Sequence, residues 1–258
     1  MSVGGSEPAA DVEVVIPDPA RPQVQYAPST ANYDIFNAEV ARITAPHGIR
    51  VCDLGGGSNP ALSARRIVRQ QLDYVIADID GDQLAKAPPE YPTLEGDILE
   101  RSTVERLLEQ GGPFDLLFSR WAAEHMRDGR TFHENVYAVL RPGGVAVHLF
   151  PTLFAVPFTI NWLLTDRLSR LLLFSITERK SKFPAHYSWC RGPTRKQLAR
   201  LESVGFEVDR YVGFFGHGFF QRVPPAQAAY RRFADALVRH PLPLLGSFAV
   251  VVLKRPES

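Results

Sequence analysis

Val51-Cys52-Asp53-Leu54-Gly55-Gly56-Gly57-Ser58-Asn59-Pro60 reads as a buried strand that runs into a glycine turn and then a helix. Arg50, Val51, Cys52 and Leu54 have strand composition, and Pro60 suits the first turn of a helix predicted over Ala61 to Gln71, where a missing N–H costs nothing. Glycine lacks a Cβ, so its backbone reaches positive φ and lets a ligand approach closely. An acid at a strand end, here Asp53, accepts hydrogen bonds from hydroxyl or ammonium groups.

Two further acidic strand ends follow. Leu72 to Ala77 is an apolar strand ending in Asp78-Ile79-Asp80, and Tyr91 to Leu94 leads into Gly96-Asp97-Ile98. In an open parallel sheet the carboxyl ends of the strands share one rim, where ligands bind, so the three acids are expected to converge on one crevice. Phe114 to Ser119 is a fourth strand, followed by Glu124-His125; Val145 to Phe150 is a fifth, after Arg141-Pro142-Gly143-Gly144. Amphipathic helices are predicted over Thr103 to Glu109 and Phe132 to Leu140. Thr194, with Gln197 three residues on, opens another helix as a capping box, and the strands Phe206 to Val212 and Ser247 to Leu253 complete an alternating α/β pattern.

In this order the motifs resemble class I S-adenosylmethionine-dependent methyltransferases, in detail over about residues 48–150 and more loosely from Thr194 to Lys254. The resemblance implies a doubly wound, mostly parallel, seven-stranded Rossmann-like sheet whose last strand is antiparallel, with a helical insertion after the fifth strand. It also implies S-adenosyl-L-methionine as cofactor. Gly55, Gly56 and Gly57 would form the first motif; Asp78, with Ile79 beside it, would hold the ribose, with Asp80 as competitor for that job or for a helix cap. Asp97 and Ile98 would meet the adenine, and Ser119 would lie with the cofactor at the end of the fourth strand. Asp53 would face the methionyl end or cap the glycine turn.

A chain of 258 residues with 45% apolar content can bury one substantial core. Residues 1–29, rich in Pro, Ala and Gly, are expected to be mobile and lack the features of a signal peptide; residues 30–258 form one domain. The spacing of Tyr33, Phe36, Val40 and Ile43 predicts a helix against the sheet, and the resemblance implies a segment here that covers the cofactor, with Tyr26 or Tyr33 to close on it. The 29 basic and 28 acidic residues nearly cancel, which argues against nucleic acid gripped through phosphates. Cys52 and Cys190 make neither a zinc spacing nor a disulfide framework, so no metal site and a reducing cytoplasm are expected.

Residues 151–193 form the individual part of the chain, expected to be a substrate-covering helical insertion. Leu153 to Phe174 is very apolar, yet Asn161, Asp166, Arg167 and Arg170 interrupt it, so no uncharged run long enough to span a membrane exists. Helices closing the core fit it better than a membrane-surface helix, though peripheral membrane contact stays open, as does oligomeric state. Thr177 to Lys182 is a basic cluster, and Phe183 to Cys190 packs aromatic and polar groups into a candidate substrate wall.

The expected reaction is methyl transfer to a small molecule, with a hydroxyl on a natural product or glycan intermediate as the leading acceptor. A hydroxyl nucleophile calls for a general base, and His125, His186 and His217 are the candidates. His148, on the fifth strand, faces either the sheet–helix interface or the rim. Two other readings compete. A nicotinamide-dependent oxidoreductase wants glycines at the first, third and sixth positions of the turn, and Pro60 occupies the sixth counted from Gly55. A cofactor-binding protein without methyl transfer, a rearrangement catalyst or scaffold, would share the same cofactor motifs.

Overall fold

A computed structural model of the chain describes residues 23–153, 184–218, 220–221 and 223–257. Most of the insertion expected over 151–193 therefore lies outside the described residues, together with the chain up to residue 22.

Strands β1 (Gln23–Pro28), β2 (Arg50–Leu54), β3 (Asp73–Asp78), β4 (Thr93–Glu95), β5 (Phe114–Arg120), β6 (Leu140–Pro151), β7 (Glu207–Phe215) and β8 (Phe248–Lys254) form one sheet in the order β1-β7-β8-β6-β5-β2-β3-β4. Only β8 runs antiparallel to its neighbours, β6 and β7. The sheet has eight strands where the resemblance implies seven. The extra one is β1, which pairs in parallel with β7 from Gln23↔Arg210 to Pro28↔Phe215; the sequence reading assigns these residues to a mobile segment. Their composition carries little strand signal, and the pairing comes from the free edge of β7.

The alternation of apolar residues along each strand sorts the core onto two faces. Val51, Leu116, Phe118, Val147 and Leu149 pack on one side with Phe36 and Val40 of helix α1 (Asn32–Ile43). Cys52, Leu117, Ala146 and Phe150 pack on the other with helices α4 (Arg101–Gln110) and α5 (Gly129–Val139). On α5 the buried Phe132, Val136 and Val139 recur at helical spacing, which is why that face closes on the sheet. The helix starts three residues before its predicted start because the Asp128 carboxylate accepts from the N–H groups of Arg130 and Thr131.

Helix α2 (Ala64–Gln70) begins after Ser63, so Pro60 lies in the turn before it and not in its first turn. Helix α3 (Gly81–Leu84) is short. Helix α6 (Arg195–Glu202) is capped by the Thr194 hydroxyl, which accepts from Gln197 N–H at 3.2 Å, as the spacing predicts. Helix α7 (Pro224–Arg239), unassigned in the sequence reading, sets Ala234 and Leu237 against Phe215. The segment Arg141 to Gly144, expected as a turn, lies inside β6, where its register against β5 shifts between Phe114 and Leu116.

Candidate functional site

The register aligns Leu54 with Ala77 and Ser119, and Asp78 with Glu95, so β2, β3, β4 and β5 end on one rim. β2 lies between β3 and β5, at the point where strand order reverses and open α/β sheets bind ligands. Two cavities flank this point. The larger, about 350 Å³, is lined by Gly55, Asp78, Ile79, Asp97, Ile98, His125 and His186 among others. The smaller, about 230 Å³, is lined by Tyr33, Asp53, Gly55, Gly56, Asn59, Arg120 and Trp121. Gly55 and Trp121 belong to both.

The glycine turn has steric causes. Gly55 has φ +76° and its N–H reaches the Ala77 carbonyl at 2.7 Å; a Cβ there would stand 2.6 Å from that of Ala122. Gly57 has φ +46°, and its Cβ would meet Asp78 Oδ2 at 3.2 Å. The third glycine lies over the carboxylate of Asp53, where a Cβ at Gly56 would fall about 3.0 Å from both oxygens.

Asp53 is buried, and its Oδ2 accepts both the Ala61 N–H (2.8 Å) and the Tyr74 hydroxyl (2.5 Å). It therefore pins the glycine turn while also bordering the smaller cavity. Burial pushes its pKa up to about 6, against the pull of those two hydrogen bonds and of Arg120.

Asp80 and Asp78 divide the work left open between them. Asp80 caps α3, accepting the Gln83 N–H at 3.1 Å. Asp78 accepts the Asp80 N–H at 3.0 Å on Oδ1 and lines the larger cavity. Burial raises its pKa, opposed by the N–H groups of Asp80, Ile79 and Gly57. Asp97 Oδ1 accepts the Leu99 N–H at 2.9 Å, and Oδ2 lies 3.6 Å from the guanidinium of Arg127. Ile79 is about half exposed and Ile98 is buried, and both line the larger cavity.

Of the candidate bases, His125 and His186 line the larger cavity. His125 Nδ1 lies 3.2 Å from the Pro184 carbonyl and Nε2 lies 3.8 Å from Glu124 Oε1. His217 does not line it; its ring stacks on Phe248 at 5.5 Å, and burial lowers its pKa. Ser119 does not line it either. Its hydroxyl is fully buried and bonded to His148 Nδ1 at 2.7 Å, because the side chain falls on the α5 face of the sheet and not on the rim. His148 thus sits in the sheet–helix interface, its ring edge to face with that of His133.

Trp121, Arg120 and Asn59 line these cavities without having been singled out as site residues from the sequence. The first two follow the end of a strand already placed on the rim, and that position was the available signal. Tyr33 reaches the site as one of the two tyrosines singled out for closing on a cofactor, whereas Tyr26 stacks on Phe215 at 5.7 Å. Glu124 is buried, its Oε2 has no hydrogen-bond partner among the described residues, and burial pushes its pKa up to about 7. Among the described residues there is no cluster of His, Cys, Asp and Glu suited to a metal, and no helix long and apolar enough to cross a membrane.

Residues 52–148 match a family described as a methyltransferase domain. An uncharacterized methyltransferase of Mycobacterium sp. (strain JLS) is 31% identical over 141 residues, 55% of this chain and 54% of that protein. The chain spans about half the length of the curated relatives it matches. Among solved structures, a SAM dependent methyltransferase from Archaeoglobus fulgidus superposes with a TM-score of 0.52 at 14% identity, over 86% of this chain and 94% of that one. Haemonchus contortus phosphoethanolamine N-methyltransferase 2, in complex with S-adenosyl-L-methionine, superposes with a TM-score of 0.52 at 13% identity, over 87% of this chain and 53% of that one. At such identities the structures share the fold.

Proposed function

We propose that the chain is a class I S-adenosylmethionine-dependent methyltransferase, as the methyltransferase-domain match over residues 52–148 supports, and that it methylates a hydroxyl group of a small, fairly apolar acceptor. The observation that carries the reading is the pair of cavities meeting at Gly55 and Trp121. The donor has three parts: a polar but uncharged adenosine, a central sulfonium and a zwitterionic amino acid. The larger cavity offers Asp78 to the ribose hydroxyls, and charge-assisted hydrogen bonds of that kind are short and strong. Asp97, Ile79 and Ile98 supply an acceptor and apolar contacts for the base. The smaller cavity offers the Arg120 guanidinium to a carboxylate and the Asp53 carboxylate to an ammonium. Gly55, common to both cavities, keeps their junction free of side-chain atoms, and Gly57 leaves room for the Asp78 carboxylate.

The bound donor supplies an electrophilic methyl carbon, which passes to the acceptor oxygen as the carbon–sulfur bond breaks and sulfur keeps the electron pair. The protein's work is then chiefly positioning, and holding the reacting atoms near attack distance lowers the barrier by several kcal/mol, on the order of 7–11 in favourable cases. The hydroxyl proton passes to His125 or His186, the two cavity histidines; a placed base contributes roughly 10²–10⁴-fold. Their shared cavity and the near balance of charge favour a small neutral acceptor over nucleic acid. The buried thiols Cys52 and Cys190 suit a reducing compartment such as the cytoplasm.

Incubating the protein with S-adenosylmethionine and a small-molecule extract, then measuring S-adenosylhomocysteine and products heavier by one methylene, tests the reading. It predicts O-methylated small molecules. Donor turnover that occurs only with added protein or RNA would overturn it, as would binding of the donor with no turnover across a broad acceptor panel.

A further inference from the structure

Trp121 has φ +58°, the left-handed region that a bulky side chain seldom adopts and that tends to persist where surroundings enforce it. The surroundings here are explicit. Its backbone N–H donates to the Leu149 carbonyl at 2.9 Å, and its indole N–H donates to the Tyr33 hydroxyl oxygen at 2.6 Å. The ring of Tyr33 stands 5.8 Å away and that of Phe248 5.4 Å away, both edge to face. Ala122, the next residue, packs against Gly55 so closely that no Cβ fits there. The residue is thereby held where the two cavities meet.

Resting on the donor-site reading above, we infer that Trp121 is the aromatic wall for the donor's sulfonium, and that Tyr33 is its positioning residue. A cation between an adenosine cavity and an amino-acid cavity must lie near the residues common to both, Gly55 and Trp121. The flanking Arg120 would repel it. A carboxylate would attract it but would also stand as a nucleophile beside an electrophilic methyl group, whereas an indole face attracts a cation through its quadrupole and has no basic lone pair to alkylate. The hydrogen bond and ring contact to Tyr33 tie this wall to α1, so helix and site are coupled.

The test compares S-adenosylmethionine with S-adenosylhomocysteine, which keeps the adenosine and amino acid but has a neutral sulfur. Calorimetry is run on the full chain and on Trp121→Leu, Trp121→Phe and Tyr33→Phe, with circular dichroism to verify folding. Trp121→Leu should weaken S-adenosylmethionine about tenfold and S-adenosylhomocysteine by less than about threefold, with Trp121→Phe retaining most of the preference. Tyr33→Phe should shift the ratio of the two affinities in the same direction by a smaller factor. An unchanged ratio in both Trp121→Leu and Trp121→Phe overturns the inference while leaving the donor site standing. Failure of the unaltered chain to bind either ligand overturns the donor-site reading and this inference with it.

Discussion

The Tyr74 hydroxyl and the Ala61 N–H converge on one oxygen of Asp53, at 2.5 and 2.8 Å, so the acid at the end of β2 locks the glycine turn to the neighbouring strand. Its pKa is raised to about 6 from an ordinary 3.8, chiefly by burial. The folded chain thus keeps a proton that the unfolded chain releases. That preference contributes fully below about pH 3.8 and is lost as the pH rises through about 6. Tyr74→Phe removes a donor to the ionised form and deepens the loss. Urea unfolding should show a destabilisation of about 1–3 kcal/mol at pH 8 and a smaller one at pH 5. Equal losses at both values would contradict this role.

Glu124 gives a second pH signature of the same sign. Burial holds its pKa at about 7 against an ordinary 4.5, so the stability it contributes in the protonated form is complete below about pH 4.5 and is lost through about pH 7. Glu124→Gln keeps the shape and removes the charge. The variant should gain stability over the unaltered chain as pH rises, by roughly 2 kcal/mol between pH 5 and pH 8. A gap that stays constant with pH would show that the carboxyl ionises without penalty.

Two glycines with similar backbone angles should respond differently. Gly57 and Gly48 both have positive φ, +46° and +72°, but a Cβ at Gly57 presses on Asp78 Oδ2 while one at Gly48 meets nothing within 4 Å. Both Gly→Ala variants should lose about 1–2 kcal/mol of stability. Only Gly57→Ala should weaken donor binding, by about tenfold, within the range of strain such positions carry. Equal donor affinity in the two variants, measured by calorimetry, would remove Gly57 from the site.

The three histidines separate by position. His125 and His186 line the larger cavity and His217 stacks on Phe248 outside it. Once an acceptor is in hand, alanine substitution of the acting base should lower kcat about a hundredfold, well beyond any change in donor affinity, and His217→Ala should stay within about threefold of the unaltered rate. A rate profile in which His217→Ala alone abolishes turnover would reverse the assignment.

The sheet was legible because its central strands are near-continuous apolar runs, a pattern buried parallel strands impose, and β2, β3 and β4 carry acids at their ends. The rim positions of Asp78 and Asp97 were legible from the strand ends, which fix the rim. β1 was not, since an edge strand is held by its partner's free hydrogen-bonding groups and needs little apolar sequence. Ser119 was misplaced by one face of the sheet, because strand alternation alone does not say which residue turns onto the rim. Trp121 and Tyr33 come together from positions 88 residues apart, and that juxtaposition is a product of packing α1 onto the sheet. The roles of His125 and His186 depend equally on which segments close over the rim, information that spacing along the chain does not carry.

Isothermal titration of S-adenosylmethionine into the unaltered chain and into Asp78→Ala, with NAD as a control ligand, tests the donor site most directly. The account predicts saturable binding at one site, weakened in Asp78→Ala by about 1–3 kcal/mol, which is roughly five- to 150-fold, and no binding of NAD. An Asp78→Ala chain that binds the donor as tightly as the unaltered one, or an unaltered chain that takes NAD in place of S-adenosylmethionine, would contradict it.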